Sequence, residues 1–238
     1  MGGGEAALSR QTMHHDLLEV LGQRICGGAY KPREILKTED LSEEFSLSRT
    51  VVREVLKVLE SMGLIAARRS LGIVVLPRDS WSVFDPRVIA WRLASDDRKN
   101  QLMSLTLLRL AVEPVAASLA AHHATDAERR RIVELADMMK QTGDTGDLAE
   151  FLVQDIEFHQ LLLQASRNEM FRAISTSVAA VLEGRTKHKL MPHRPNPEGQ
   201  RLHRLVASSV AEGDADTAET AMRALLLEVK EAVGKLQV

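Results

Sequence analysis

Cysteine is nearly absent from this chain: Cys26 stands alone, so no intrachain disulfide can form and no Cys-x-x-Cys zinc or redox pattern exists. Aromatic side chains make up only 3% of the residues, which disfavours a sandwich or barrel built from aromatic and β-branched strands. No stretch approaches the roughly 18 uninterrupted apolar residues of a membrane span, and the start, MGGGEAALSRQTMHH, lacks an apolar signal core. The expectation is a soluble protein of a reducing cytoplasm. Net charge is small as well, −2, so a nucleic-acid role finds no support in the total and must rest on how the charges are distributed.

What the chain does contain is Leu, Ala and Val, with charged residues recurring at helical spacing, and this predicts mostly α structure. Its 238 residues suffice for one large domain or two modest ones. In HHDLLEVLGQRICGGAY, Leu17, Leu18, Leu21 and Ile25 share a face, and Gly27 and Gly28 suit the helix end. TEDLSEEF then reads as a two-turn helix with Thr38 as N-cap, and after SLS a second helix begins, capped by Ser48 and carrying Val52, Val55, Leu56 and Leu59 on one side. Two helices this close are a helix-turn-helix candidate. Short strands over 64–67 and 73–76, joined by a basic turn containing Gly72, complete a winged helix.

Pro77 and the polar residues after it interrupt the pattern, placing the domain boundary between 78 and 79. The winged helix-turn-helix domain is thus residues 1–78. Residues 79–238 read as an all-α antiparallel bundle, with helices over 86–94, 98–122, 126–142, 147–165, 168–186, 198–212 and 214–236.

Between residues 46 and 78 there are six basic residues against two acidic ones. Arg49 and Arg53 lie four apart, on the face opposite the Val/Leu stripe, with Thr50 between them. Such a helix can enter a major groove by its N-terminal end, arginines forking onto guanine while Ser48 and Thr50 touch phosphate. Arg68 and Arg69 on the wing reach the DNA backbone or the minor groove. The plainer alternative is a solvated charged face on a structural helical pair. The run SLSRTVVREVLKVLESMGLIAARRSLGIVVL resembles the winged-helix signature of GntR-type bacterial transcription regulators. That resemblance implies DNA contacts from Arg49, Thr50 and Arg53 and a close backbone approach at Gly72. The family commonly has an arginine early in the preceding helix, where this chain offers Glu39 or Asp40.

Farther on, VQDIEFHQLLLQ puts Asp155 and His159 four apart on one helical face. The pair can clip a divalent ion, or it can be a buried Asp–His hydrogen bond. These segments resemble the helical effector-binding domain FCD of the FadR subgroup, over most of residues 80–236. The resemblance implies a metal site of Asp155, His159 and His203, with Leu225 standing where the family has a fourth histidine 22 residues after His203. Three ligands leave open positions, which zinc, the first candidate, and other divalent ions tolerate with reduced affinity. His188 and His193, in a loop without pattern, are poor replacements for the missing ligand.

Arg109 in the long apolar helix pairs with Glu113 four residues on, or faces inward to an anion. The FCD resemblance implies the second, a carboxylate effector. It also matches Asn168 to a recurring family asparagine, although Asn168 could simply cap its helix. The connecting run PRDSWSVFDPRVIAWRL resembles that of FCD regulators of the galactonate-repressor type, a group that also lacks the last histidine, and implies a sugar acid such as galactonate or gluconate. Trp81 and Trp91 are expected to pack between wing and bundle. The whole reads as a homodimeric repressor released from operator DNA by an acid held at Arg109, Asn168, Asp155, His159 and His203. The alternative is a metal-dependent enzyme acting on a small organic acid, for which no His-Glu-x-x-His motif or comparable base is evident.

Overall fold

The computed structural model describes residues 3–69, 71–188 and 196–236, with side chains from His14 onward. His193 lies outside the described residues. The chain divides into two compact units, Met1–Asp97 and Arg98–Val238.

In the first unit, helix α1 (Gly3–Cys26) buries Leu17, Leu18, Leu21 and Ile25, as their shared face predicts. It is followed by strand β1 (Ile35–Leu36), helices α2 (Thr38–Glu44) and α3 (Arg49–Ser61), strands β2 (Ile65–Arg68) and β3 (Gly72–Val75), and helix α4 (Pro86–Leu93). The α3 stripe of Val52, Val55, Leu56 and Leu59 is buried against the α1 face, Leu41 of α2, and Leu64, Ile65 and Val75 around the strands. Burying each such side chain contributes about 1.5–3 kcal/mol. Ser48 caps α3, its hydroxyl accepting from the Val51 N–H at 3.4 Å. Thr38 does not cap α2: it lies inside the helix, and Lys37 occupies the cap position without a side-chain bond.

The strands form an antiparallel sheet in the order β1-β3-β2, with Arg68 opposite Gly72 at the wing tip. Gly72 has φ +94°, a conformation that disfavours any side chain there. The third strand, β1, is two residues long, too short for periodicity to reveal it. It pairs Ile35 with Val74.

The first unit does not end at residue 78. Trp81, Val88 and Trp91 belong to its core. Trp91 is buried, its indole N–H donates to Glu19 Oε2 at 2.7 Å, and its ring lies so close to Gly22 that a Cβ there would sit 2.5 Å away. The Trp81 N–H donates to the Leu76 carbonyl at 3.1 Å. Both tryptophans therefore pack within the N-terminal unit, not between wing and bundle as expected, and they draw the segment after the wing onto α1 up to Asp97.

The second unit is a helical bundle of α5 (Arg98–His123), α6 (Asp126–Thr145), α7 (Leu148–Ala165), α8 (Glu169–Ala173), α9 (Ser175–Lys187), α10 (Pro197–Glu212) and α11 (Ala215–Gly234). The helix expected over 168–186 breaks at Ile174, whose φ −85° and ψ 0° leave the regular ladder just before Ser175, Thr176 and Ser177. By length and composition α5 could cross a membrane. It instead carries buried Arg109 and Glu113 and packs along α11 through its Ala117, Ala120 and Ala121, with Leu135, Phe158, Leu162, Val206, Met222 and Leu226 closing the core.

Candidate functional sites: an exposed basic helix and a polar cavity

The N-terminal end of α3 presents its polar residues to solvent. Ser48, Arg49, Thr50 and Arg53 are all exposed, as are Arg68 and Arg69 beside the wing and Gly72 at its tip. Arg49 has one close partner, Glu39 Oε1 at 3.4 Å on the preceding helix.

In the second unit, each polar residue is placed by the start of its helix. Asp147 caps α7 by accepting from the Glu150 N–H at 3.1 Å, setting the phase that turns Asp155 and His159 inward. Asn196 caps α10 ahead of Pro197 and so orients His203. Together with α5 and α9, these helices bring Arg109, Asp155, His159, Arg185 and His203 around one cavity of about 160 Å³, closed on the α11 side by Leu225, Leu226 and Glu228.

Asp155, His159 and His203 are buried, and their ligating atoms lie within 4.8 Å of one another. Asp155 Oδ1 is 3.3 Å from both His159 Nε2 and His203 Nε2. His203 Nδ1 lies 2.7 Å from the Gly199 carbonyl, which can only accept, so Nδ1 carries a proton; Nε2 faces the carboxylate, as an N–H donor in the charged ring and as a bare lone pair in the neutral one. Two lone pairs facing across 3.3 Å require a proton or a cation between them. The donor set therefore fits a divalent ion, with the His203 tautomer already fixed by its carbonyl partner.

Arg109 and Glu113, both 2% exposed, satisfy both sequence readings at once. The Arg109 Nε and one terminal nitrogen donate to Glu113 at 2.6 and 3.3 Å, and the same terminal nitrogen lies 3.1 Å from His159 Nε2. The other terminal nitrogen has no hydrogen-bond partner among the described residues. Burial alone would raise the Glu113 pKa, but the charges of Arg109 and His159 overcome it and hold the carboxyl down at about 2. At Asp155 burial is likewise outweighed, here by His159 and His203, and its pKa falls well below the usual range. His159 is shifted upward because Glu113, with Nδ1 only 2.7 Å from Oε2, outweighs burial and the charge of Arg109.

Among the described residues, seven buried side-chain atoms lack a formal hydrogen bond, and five of these belong to residues lining this cavity; His159 Nδ1 faces Glu113, and Asp155 Oδ1 and His203 Nε2 face each other, which leaves one terminal nitrogen of Arg109 and Glu228 Oε2 without a polar contact. Buried polar groups are rarely left so, which makes this cavity the candidate binding site.

Asn168 is not brought into it. Its side chain accepts from the Met170 and Phe171 N–H groups at 3.0 and 3.3 Å and caps α8, and it does not line the cavity. Glu157 binds Arg131 at 2.7 Å. His188 ends α9 and is not grouped with the three candidate ligands. Two cavity residues had escaped sequence reasoning. Arg185, near the end of α9, resembles any solvated basic last turn, yet burial first and Arg109 second lower its pKa to about 10. Glu228 lies three residues beyond Leu225 on the same helical face, a spacing that could have identified it.

Comparison with known proteins gives the family of each unit. Residues 15–75 match the model for bacterial regulatory proteins of the gntR family, and residues 104–228 match the FCD domain. The galactonate operon transcriptional repressor of Escherichia coli K12 is 30% identical over 203 residues, covering 84% of this chain and 88% of that protein. The transcriptional regulator LutR of Bacillus subtilis 168 is 31% identical over 215 residues, covering 88% and 95%. The solved structure of a Streptococcus agalactiae GntR protein aligns over 93% of this chain and 99% of its own with a TM-score of 0.52 at 20% identity, a likeness of fold. An exposed basic helix in a winged unit, joined to a bundle with a buried polar cavity, is therefore the architecture of a transcription regulator, and the chain belongs to the gntR family with an FCD domain.

Proposed function

We propose that this protein is a homodimeric repressor of a sugar-acid catabolic operon, released from its operator when a small carboxylate such as galactonate or gluconate enters the FCD cavity. The observation carrying this reading is the cavity itself, where Arg109 and Glu228 each keep a buried polar atom without a partner among the described residues beside the Asp155, His159 and His203 group. The free terminal nitrogen of Arg109, held rigid by Glu113, offers a donor to a carboxylate. Asp155, His159 and His203 would hold a divalent ion, zinc first among the candidates, which when bound supplies positive charge with positions open to an effector oxygen. A volume of about 160 Å³, well below the ~300 Å³ at which pockets for drug-sized ligands begin, favours a small acid. The 30% identity to a galactonate operon repressor supports a hydroxylated one.

In the dimer, two α3 helices would read the halves of a pseudo-palindrome, Arg49 and Arg53 at base edges, Ser48, Thr50, Arg68 and Arg69 at phosphates, with the backbone approaching at Gly72. Effector binding releases DNA only if the acid prefers one arrangement of the protein. A difference of about 1–3 kcal/mol changes DNA affinity about 5- to 150-fold.

Galactonate and gluconate, with and without zinc or manganese, are expected to raise the unfolding temperature of the full chain, by the equivalent of about 2.7 kcal/mol at a hundred times the dissociation constant. No stabilisation by any acid in either condition would overturn the effector reading. His159→Ala is expected to purify without bound metal, and equal metal content in variant and parent would remove the trio from that role.

Glu39 occupies one face of the pair it makes with Arg49. Both are exposed, so the pair itself adds little stability, but a carboxylate at this position repels phosphate. Glu39→Gln is expected to raise affinity for duplex DNA about two- to tenfold at low salt, with the gain fading as salt increases. Fluorescence anisotropy at about 50 and about 200 mM salt, a range over which counterion release changes affinity steeply, reads this directly.

A further inference from the structure

Glu228 lines the cavity from α11, outside the compact group of Asp155, His159 and His203. One of its carboxylate oxygens, Oε1, accepts a bond from the Asn196 side-chain amide. The other, Oε2, is buried and has no hydrogen-bond partner among the described residues. It lies where α10 passes without a side chain: a Cβ added to Gly199 would sit 3.6 Å from Oε2 and 3.9 Å from Leu225 Cδ1. The carboxylate is thereby oriented by Asn196 and left with one acceptor atom to satisfy.

A buried carboxylate oxygen needs a donor. The carboxylate of an acid effector has none to give and is repelled. A bare hydrocarbon chain would leave the oxygen desolvated, which costs more than the missing bond is worth. A cationic donor is disfavoured, because buried Arg185 already stands within electrostatic reach of Glu228. A neutral hydroxyl, of solvent water or of a ligand that displaces it, supplies the donor without adding charge.

We infer that Glu228 Oε2 is a hydroxyl-reading subsite, which selects polyhydroxylated acids over unsubstituted ones. The inference rests on the acid-effector reading of the same cavity and adds to it the position that recognises the sugar part of the molecule. The effector lies with its carboxylate toward Arg109, and one of its hydroxyls donates to Glu228. A site built around such a bond discriminates strongly against an analogue lacking the hydroxyl, because the protein's own group is then stranded.

The test measures binding by calorimetry to the full chain, with galactonate, gluconate, hexanoate and 6-aminohexanoate as probes. Wild type is expected to bind at least one of the two aldonates at least about tenfold more tightly than either analogue. Glu228→Leu should weaken aldonate binding by about tenfold or more and leave hexanoate binding unchanged or tighter, while Glu228→Gln, which keeps an acceptor oxygen, recovers part of the loss. Thermal unfolding of both variants checks that the bundle is intact, and Glu228→Gln alone decides the question if the leucine variant does not fold. Equal weakening for aldonate and hexanoate, or tightest binding of 6-aminohexanoate, would overturn the subsite while leaving the acid-effector reading in place. Absence of any acid binding to wild type would overturn both.

Discussion

Glu113→Ala is expected to destabilise the helical unit by about 3–5 kcal/mol, because it strands the Arg109 guanidinium in a site where the side chain is 2% exposed. Neither group is expendable alone: Glu113 binds Arg109 through two bonds and also approaches His159. Replacing both, as Arg109→Leu with Glu113→Leu, should recover most of the stability or exceed it, since removing a buried ion pair together avoids the unpaired charge. The double variant should nevertheless fail to respond to acid effectors. Urea unfolding of single and double variants checks the first point, and a loss below about 1 kcal/mol for Glu113→Ala would show that Arg109 is not dependent on this carboxylate. The pair also predicts acid sensitivity. The Glu113 pKa is lowered from the ordinary 4.5 to about 2 in the folded protein, so its contribution is complete above the unfolded value and is lost as pH falls from about 4.5 toward 2. Wild type should lose stability through that window, and the double-leucine variant should lose less.

The second large effect is expected at the DNA-facing end of α3. Arg53→Ala and Arg49→Ala should each reduce affinity for a selected operator, since a forked arginine–guanine contact is worth about 1–3 kcal/mol of discrimination and a dimer loses it in both half-sites. The combined loss is on the order of 10² to 10⁴ in specific binding, with weaker effects on random duplex. Arg68→Ala and Arg69→Ala should instead weaken binding to all sequences alike and reduce the salt slope by about one per residue in each protomer. All four side chains are exposed, so the fold should survive. Footprints of Arg49→Ala and Arg53→Ala that matched wild type would remove α3 as the reading element.

Much of this was legible along the chain because it depends on neighbours in sequence. The Val52–Leu59 stripe announced α3, Ser48 announced its start, and the i, i+4 spacing placed Asp155 beside His159 and Arg109 beside Glu113. Helical periodicity is a local property, so the winged helix and the bundle could be read from it before any coordinates. Where a weak local preference competed with packing, the reading failed. The threonine at 38 was displaced as cap by Lys37, and Pro77 suggested a boundary that Trp81 and Trp91 erased by packing onto the first unit.

By itself, the sequence determined most of the helical segments and their apolar faces, and it proposed Arg109, Asp155, His159 and His203 as polar candidates. The tertiary structure alone decided that Arg109, Arg185, His203 and Glu228, spread over four helices, line the same cavity as Asp155 and His159, and that Asn168 serves a helix end instead. The reason is that a side chain's direction follows from its own helix, whereas its partners depend on how separate helices cross, and those crossings are set by the summed packing of Ala117, Phe158, Val206 and Leu226 in the shared core.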